Sequence, residues 1–495
     1  MRIRIGRQYA APRGDGGASP EVAWDPEALI NGHLIMVGDS GSGKTHNLRS
    51  FLRQVAATAG PSLQRVHIFD THGDIDVGGS KVQFSQSTPY AFNPLEVSPD
   101  PHFGGVRRAV ANFLAMIQRA RKLGTTQEAV LRNILFDVYA LRGFNADNPA
   151  TWGYHDDGAC SPADLPEGRI YLDVPFEEKE LAKDVARREG GSLTFDRERR
   201  CWWTTRHSEG LRRWPEKRWG KTAPTIHDVI SLTQLKLKQL WVGVDTRGMF
   251  ALENFCKATG QLTRALQKST GRAGQDDPVI LKEERERAAD RAREAFEGFL
   301  ERCVTGDEID DLIRYESAQT LKSLLDRLEN LKATGVCRSV PPPFDPDELV
   351  WRYEIRAYGD AERTIFVETF LNRLLERAMA RGEVKGVTDI VVIDEAVRYV
   401  VDDSDHIICR LVQEARKFGI ALFLISQSPT QFPEQILAGV GTKVILGLDP
   451  MYHRLAASKL GLDQKYIEAI KPRQLILVNR KLKSQVPQWI PTLLQ

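Results

Sequence analysis

Residues 33–57 read HLIMVGDSGSGKTHNLRSFLRQVAA. Leu34 to Val37 form an apolar run, Gly38-Asp39-Ser40-Gly41-Ser42-Gly43-Lys44-Thr45 follow with the spacing of a phosphate-binding loop, and the remainder has helical periodicity. The order is strand, loop, helix. Glycines let successive backbone N–H groups converge on an anion, and the helix N-terminus behind them favours negative charge. On this reading Gly38 to Thr45 and the following His46 line the phosphates of a nucleoside triphosphate. Lys44 reaches the β- and γ-phosphates, and Thr45 offers a hydroxyl to Mg²⁺, a cation that prefers oxygen ligands.

A loop of this kind serves kinases, GTPases and motors alike, so the other strand ends decide the chemistry. Ile390-Val391-Val392-Ile393 reads as a strand buried on both faces and ends in Asp394-Glu395. Alternation along a strand sends the two carboxylates in opposite directions, one to Mg²⁺ (Asp394) and one to the attacking water (Glu395). A third strand, Ile420 to Ile425, ends in Ser426-Gln427, where Gln427 would sense the γ-phosphate or align the water. The chain has no Asn-Lys-x-Asp after its later strands, which disfavours a GTPase and leaves ATP as the expected nucleotide. Upstream, LVQEARKF is helical and closes on Arg416 and Lys417 before Gly419. Arg416 either compensates the helix dipole or acts as an arginine finger on a neighbouring subunit's nucleotide.

Over 495 residues, 42% hydrophobic and 27% charged, the composition is that of a folded globular chain with two to four domains. Lys+Arg 68 against Asp+Glu 66 leaves a net +2, so a nucleic-acid partner must be held by a local basic surface. The six cysteines lack Cys-x-x-Cys spacing, and no run of 18 apolar residues occurs, so a cytoplasmic protein without structural zinc or an integral membrane segment is expected.

LINGHLIMVGDSGSGKTHNL, HIFDTHGD, VVIDEAVRYV, LVQEARKFGIALFLISQSPTQFPEQIL, GVGTKVILGL and LKSQVPQWI together resemble the HerA-like branch of the HerA/FtsK superfamily of DNA motors. The resemblance covers roughly residues 30–145 and 310–490. It implies a homohexameric ATPase that moves double-stranded DNA through its ring, working with a nuclease or a sirtuin-type effector, in antiviral defence among other settings. Lys44 and Thr45 become the Walker A pair, Asp394 and Glu395 the Walker B pair, Gln427 the sensor and Arg416 the arginine finger. Asp70 and Asp74, in the DTHGD that follows strand Arg65 to Phe69, match the family's acidic motif. One departure is plain: only 37 residues precede Gly38, whereas HerA proteins begin with a β-barrel that docks the nuclease. Conjugation and secretion ATPases of the same superfamily are the alternative, as is an ATPase scaffold that gates an effector.

The implied fold is an α/β RecA-like (ASCE) P-loop NTPase core with a mainly parallel sheet, interrupted by a small α+β module and a helical lobe. Expected boundaries are 1–30 for an N-terminal arm or short strands, 31–150 and 346–495 for the two parts of the core, 151–222 for the module and 223–345 for the lobe. Strands are also expected at Tyr353 to Tyr358, Lys443 to Leu446 and Gln474 to Val478. The module, RIYLDVPFEEKELAKDVARREGGSLTFDRERRCWW, reads as strand, helix, hairpin and resembles a small domain of unknown function found on plasmid primases. Residues 197–221 hold nine Lys/Arg against three Glu, interleaved with four tryptophans. That pattern suits nucleic acid, with Arg212, Arg213, Trp214, Lys217 and Arg218 as contacts, unless the tryptophans form the module's own core.

Overall fold

The computed structural model describes residues 1–9, 19–120, 122–154, 168–172, 174, 178–196, 201–206, 208–214, 216, 221–242, 246–271, 278–301, 314–315 and 317–494. Its strands are β1 (Ile3–Gln8), β2 (Glu21–Trp24), β3 (Leu34–Val37), β4 (Arg65–Asp70), β5 (Ser80–Gln83), β6 (Ile170–Leu172), β7 (Thr194–Asp196), β8 (Cys201–Thr204), β9 (Val350–Glu354), β10 (Asp389–Ile393), β11 (Ile420–Ser426), β12 (Thr442–Ile445), β13 (Leu475–Arg480) and β14 (Gln488–Leu493). Eleven of them make one sheet in the order β2-β1-β14-β13-β12-β3-β11-β10-β4-β9-β5. From β12 to β5 every pairing is parallel, and the remaining edge is antiparallel. Strand β11 therefore stands between the phosphate-loop strand β3 and the acidic strand β10, the arrangement of the ASCE class.

β10 and β11 are buried throughout, as near-continuous apolar strands of a covered parallel sheet must be. Alternation assigns the two faces. Ile390, Val392, Phe423 and Ile425 join Phe51, Leu52 and Val55 of helix Lys44–Ala57 in one core, where Trp24, Phe51 and Phe423 meet edge to face at 5.3–5.7 Å. On the other face Phe69 and Tyr353 stack at 4.6 Å, and Phe366 and Phe370 of helix Asp360–Arg381 cover them. Each such aromatic removed from water contributes about 1.5–3 kcal/mol, so the strand ends that carry the chemistry are rigidly supported.

Several boundaries differ from the sequence reading. Of the two alternatives for residues 1–30, an arm or short strands, the chain takes the second: two strands extend the sheet, because Ile3, Val22 and Trp24 have apolar side chains to bury there. The expected strand at Tyr353 to Tyr358 lies earlier, at Val350–Glu354, and the chain then turns into helix Asp360–Arg381.

The chain divides into two compact units, residues 1–116, 147–223 and 333–495, and residues 117–146 and 224–332. The second is helical: Thr125–Leu141, Ile226–Val242, Thr246–Gly271, Pro278–Leu300 and Ala318–Ala333. It includes residues 117–146, which the sequence reading placed in the core. Leu131, Ile134, Leu135 and Val138 bury one face of Thr125–Leu141, and Arg142 pairs with Asp228 at 2.5 Å. Within the first unit, β6, β8 and β7 form a separate antiparallel sheet beside helix Lys179–Arg188. Among the described residues no helix is long and apolar enough to cross a membrane.

Candidate functional site

The phosphate loop hangs between two neighbouring strand ends. Gly38 N donates to Ser426 O at 3.2 Å and Asp39 N to Gly447 O at 2.8 Å. Gly41 and Gly43 take φ of 79° and 95°, left-handed values that turn the loop into the helix and that glycine adopts without penalty. At Gly38 the constraint is space: a Cβ there would lie 2.4 Å from Ser42 Oγ. Lys44 Nζ folds back over the loop and donates to Gly38 O at 2.5 Å and, at 3.4 Å, to Asp39 O. Partial burial lowers the Lys44 pKa, while Asp394, Asp39, Glu395 and Asp74 oppose that shift.

Alternation along β10 does not extend to its two acids. The strand stops at Ile393, and Glu395 adopts φ 52° and ψ 42°, so the backbone swings Glu395 into the same site as Asp394. Both carboxylates act electrostatically on Lys44, with Asp394 beside Asp70 and Asp74 and Glu395 beside His72, Arg398 and Gln427. A non-glycine residue in this region costs about 1 kcal/mol, and such outliers concentrate at functional sites.

Glu395 is held from three sides. Its Oε1 lies 3.2 Å from His72 Nε2 and accepts from Gln427 Nε2 at 3.3 Å, and its Oε2 accepts from Arg398 Nε at 2.7 Å. Arg398 also donates to both carboxylate oxygens of Asp360, at 3.0 and 3.2 Å. Burial raises the Glu395 pKa, but the bonds from Arg398 and His72 outweigh it and leave the carboxyl below its ordinary value. Asp394 behaves oppositely. Burial, reinforced by Glu395, Asp70 and Asp74 and opposed by His72, pushes it up to about 6.

Asp70 orders its own loop, accepting from the backbone N–H of His72 at 3.2 Å, Gly73 at 2.6 Å and Ile75 at 3.0 Å. That loop presents Asp74, and carboxylate oxygens of Asp70, Asp74 and Asp394 lie within 4.8 Å of one another. An all-oxygen donor set fits Mg²⁺, and the glycine cradle fits a polyphosphate. A cleft of about 340 Å³, lined by Asp39, Glu395, Gln427 and Tyr452, opens beside it.

The fold thus brings together Gly38 to His46, Asp70, Asp74, Asp394, Glu395 and Gln427. It leaves Arg416 apart: Arg416 precedes β11 and Gln427 follows it, so a seven-residue strand, roughly 20 Å, separates the two. Arg416 is exposed and, among the described residues, its side chain has no partner; within one chain it cannot serve the nucleotide. Sequence reasoning missed His72, Arg398 and Asp360. The first two were visible as neighbours of acidic motifs, whereas Asp360 is joined to the site only by folding.

In the small module, Trp214 is a core residue, packed with Leu172, Ala182, Ala186, Leu193 and Leu211. Glu178 accepts from Trp214 Nε1 and from Arg213 Nη2, both at 2.7 Å. Trp214 is therefore not free to stack on a base, which corrects that part of the nucleic-acid assignment, whereas Arg213 pairs with Glu178 at the surface. Lys217, Arg218 and the side chain of Arg212 lie outside the described residues.

Comparison with known proteins gives two family matches: residues 24–97 match the type IV secretion-system coupling protein DNA-binding domain, and residues 169–216 match a domain of unknown function, DUF5710. A protein named probable helicase MJECL08, from Methanocaldococcus jannaschii, is 32% identical over 120 residues, 22% of this chain and 21% of that one. The chain thus spans about a fifth of the length of the curated relative it matches. Among solved structures, VirB4 of Thermoanaerobacter pseudethanolicus superposes with a TM-score of 0.54 at 13% identity, covering 100% of this chain and 96% of that one. The plasmid coupling protein TrwB gives 0.45 at 10% identity, covering 94% and 85%. The likeness to VirB4 establishes the fold as the mixed α/β, RecA-like P-loop type.

Proposed function

We propose that the protein is an ATP-hydrolysing motor of the FtsK/HerA-like superfamily that moves DNA, or protein-bound DNA, in the manner of a conjugation or secretion ATPase. The observation that carries the hydrolysis is the Glu395 carboxylate, kept ionised by Arg398 and His72 at the sheet edge shared with the phosphate loop. Loop N–H groups and Lys44 hold the β- and γ-phosphates. Thr45 and Asp394, with Asp70 and Asp74 nearby, would hold Mg²⁺, which when bound shields the phosphate charge. Glu395 takes a proton from water as its oxygen bonds to the γ-phosphorus; the bond to the bridging β-phosphate oxygen breaks and ADP departs. Gln427, bonded to Glu395, orients that water.

The match of residues 24–97 to a coupling-protein DNA-binding domain supports a transfer ATPase over the HerA-type translocase that the motifs first suggested. A homohexamer, with Arg416 reaching a neighbour's nucleotide from the opposite sheet edge, is the assembly this reading requires. Steady-state ATP turnover with and without linear duplex DNA tests it, with K44A as the inactive control. Stimulation by DNA, absent in K44A and falling steeply with salt, is expected because such motors grip phosphates. Turnover indifferent to DNA would remove the DNA cargo and favour a ring that answers to a protein effector.

A further inference from the structure

Among the described residues, Arg473 is one of two non-glycine residues with positive φ, and the other is Glu395. It lies in the turn Lys471-Pro472-Arg473-Gln474, closed by Gln474 N donating to Lys471 O at 3.0 Å. Proline at the second position and a left-handed residue at the third are the pattern of a type II turn, whose third position favours glycine or asparagine. Here an arginine occupies it at φ 66°. The turn rests on the phosphate loop. A Cβ at Gly43 would lie 3.4 Å from Arg473 Cγ, and one at Gly447 would lie 3.4 Å from Pro472 Cγ and 3.6 Å from Ser42 Cβ. The side chain is exposed and, among the described residues, no acceptor engages its guanidinium.

Sheet order says which end of the nucleotide this cation meets. Glu395 follows β10, two strands from β3 on one side, and Arg473 precedes β13, two strands from β3 on the other. The water and the metal belong to the β10 flank, and the γ-phosphate points there. A nucleotide held in the nest therefore extends its nucleoside end toward the β13 flank. We infer that Arg473 is a nucleotide-binding residue that grips the nucleoside end of the triphosphate, with its stem laid on Gly43 and its guanidinium planar against the base and ribose. The cost of a left-handed arginine is then offset by a contact that glycine could not make.

This inference rests on the ATP-binding reading, and the test separates the two. Dissociation constants for a fluorescent N-methylanthraniloyl-ATP and, by competition, for ATP and inorganic tripolyphosphate are measured for the wild type, R473G, R473N and K44A, with melting temperatures alongside. Glycine and asparagine both accept the turn, so folding is expected to be unchanged. R473G and R473N should bind ATP about tenfold more weakly, about 1.4 kcal/mol, with tripolyphosphate affinity unaltered. Unchanged ATP affinity would overturn the assignment, as would equal losses for ATP and tripolyphosphate, which would place Arg473 on the phosphates. A large fall in melting temperature in both variants would make the residue structural. Failure of the wild type to bind ATP, or equal binding by K44A, would instead sink the ATP reading itself.

Discussion

Replacing Glu395 by glutamine removes a charge and changes little else, so its consequences can be worked through from the surroundings. The amide keeps an oxygen for His72 and Gln427, and glutamine occupies the left-handed backbone at 395 as glutamate does. Arg398 loses its bond to Glu395 but retains Asp360 at 3.0 and 3.2 Å. The Arg398 side chain is 42% exposed, so the lost ion pair is screened and contributes under about 1 kcal/mol. The melting temperature should therefore move by no more than about 2–4 °C. Turnover is another matter: losing a positioned proton acceptor costs about 10²–10⁴ in rate, about 2.7–5.5 kcal/mol of transition-state stabilisation. Single-turnover hydrolysis, ATP affinity and thermal melting measured on one preparation of E395Q should show a collapse of the first with the other two preserved. Retention of more than a tenth of the wild-type rate would refute the role of Glu395. Loss of ATP binding in parallel would mean that the carboxylate builds the site and does not act on water.

Gly38→Ala and Gly41→Ala separate crowding from backbone strain: at Gly38 a Cβ meets Ser42 Oγ at 2.4 Å, whereas at Gly41 nothing lies within 4 Å. G38A should lose about 1–3 kcal/mol and at least tenfold in ATP affinity, and G41A only about 1 kcal/mol, read by melting and nucleotide titration. Burial pushes Glu376 up to about 7 from its ordinary 4.5, although Arg108 and a bond from Asn112 oppose it. Between those values the folded chain holds a proton that the unfolded chain has released. The Glu376 contribution to stability should thus fall as pH rises from 4.5 to 7, by at most about 1.4 kcal/mol per pH unit, and stay level on either side. E376Q should flatten that slope in melting scans, and an unchanged slope would refute the assignment. Trp214→Ala should cost the small module about 3–5 kcal/mol, seen as faster amide exchange across residues 169–216, while ATP turnover without DNA persists.

What can be read along the chain is what local patterns encode. The glycine spacing and the helix behind it placed the phosphate loop, and unbroken apolar runs placed β10 and β11, since a strand covered on both faces has no polar option. Glu395, Gln427 and Asp394 were legible as the residues that follow such runs. The geometry among them was not. Period-two alternation holds only while the backbone is extended, and the left-handed turn at Glu395 brings into one site two carboxylates that alternation sends apart. Trp214 of the basic stretch looked like a stacking platform until the module folded around it, because burial depends on what returns to cover a side chain. His72 meets Glu395 across 323 residues of sequence, and Arg473 meets Gly43 only because antiparallel β13 lies against β12. Contacts like these belong to strand order, which is settled by how the whole chain packs its apolar faces and not by any segment alone.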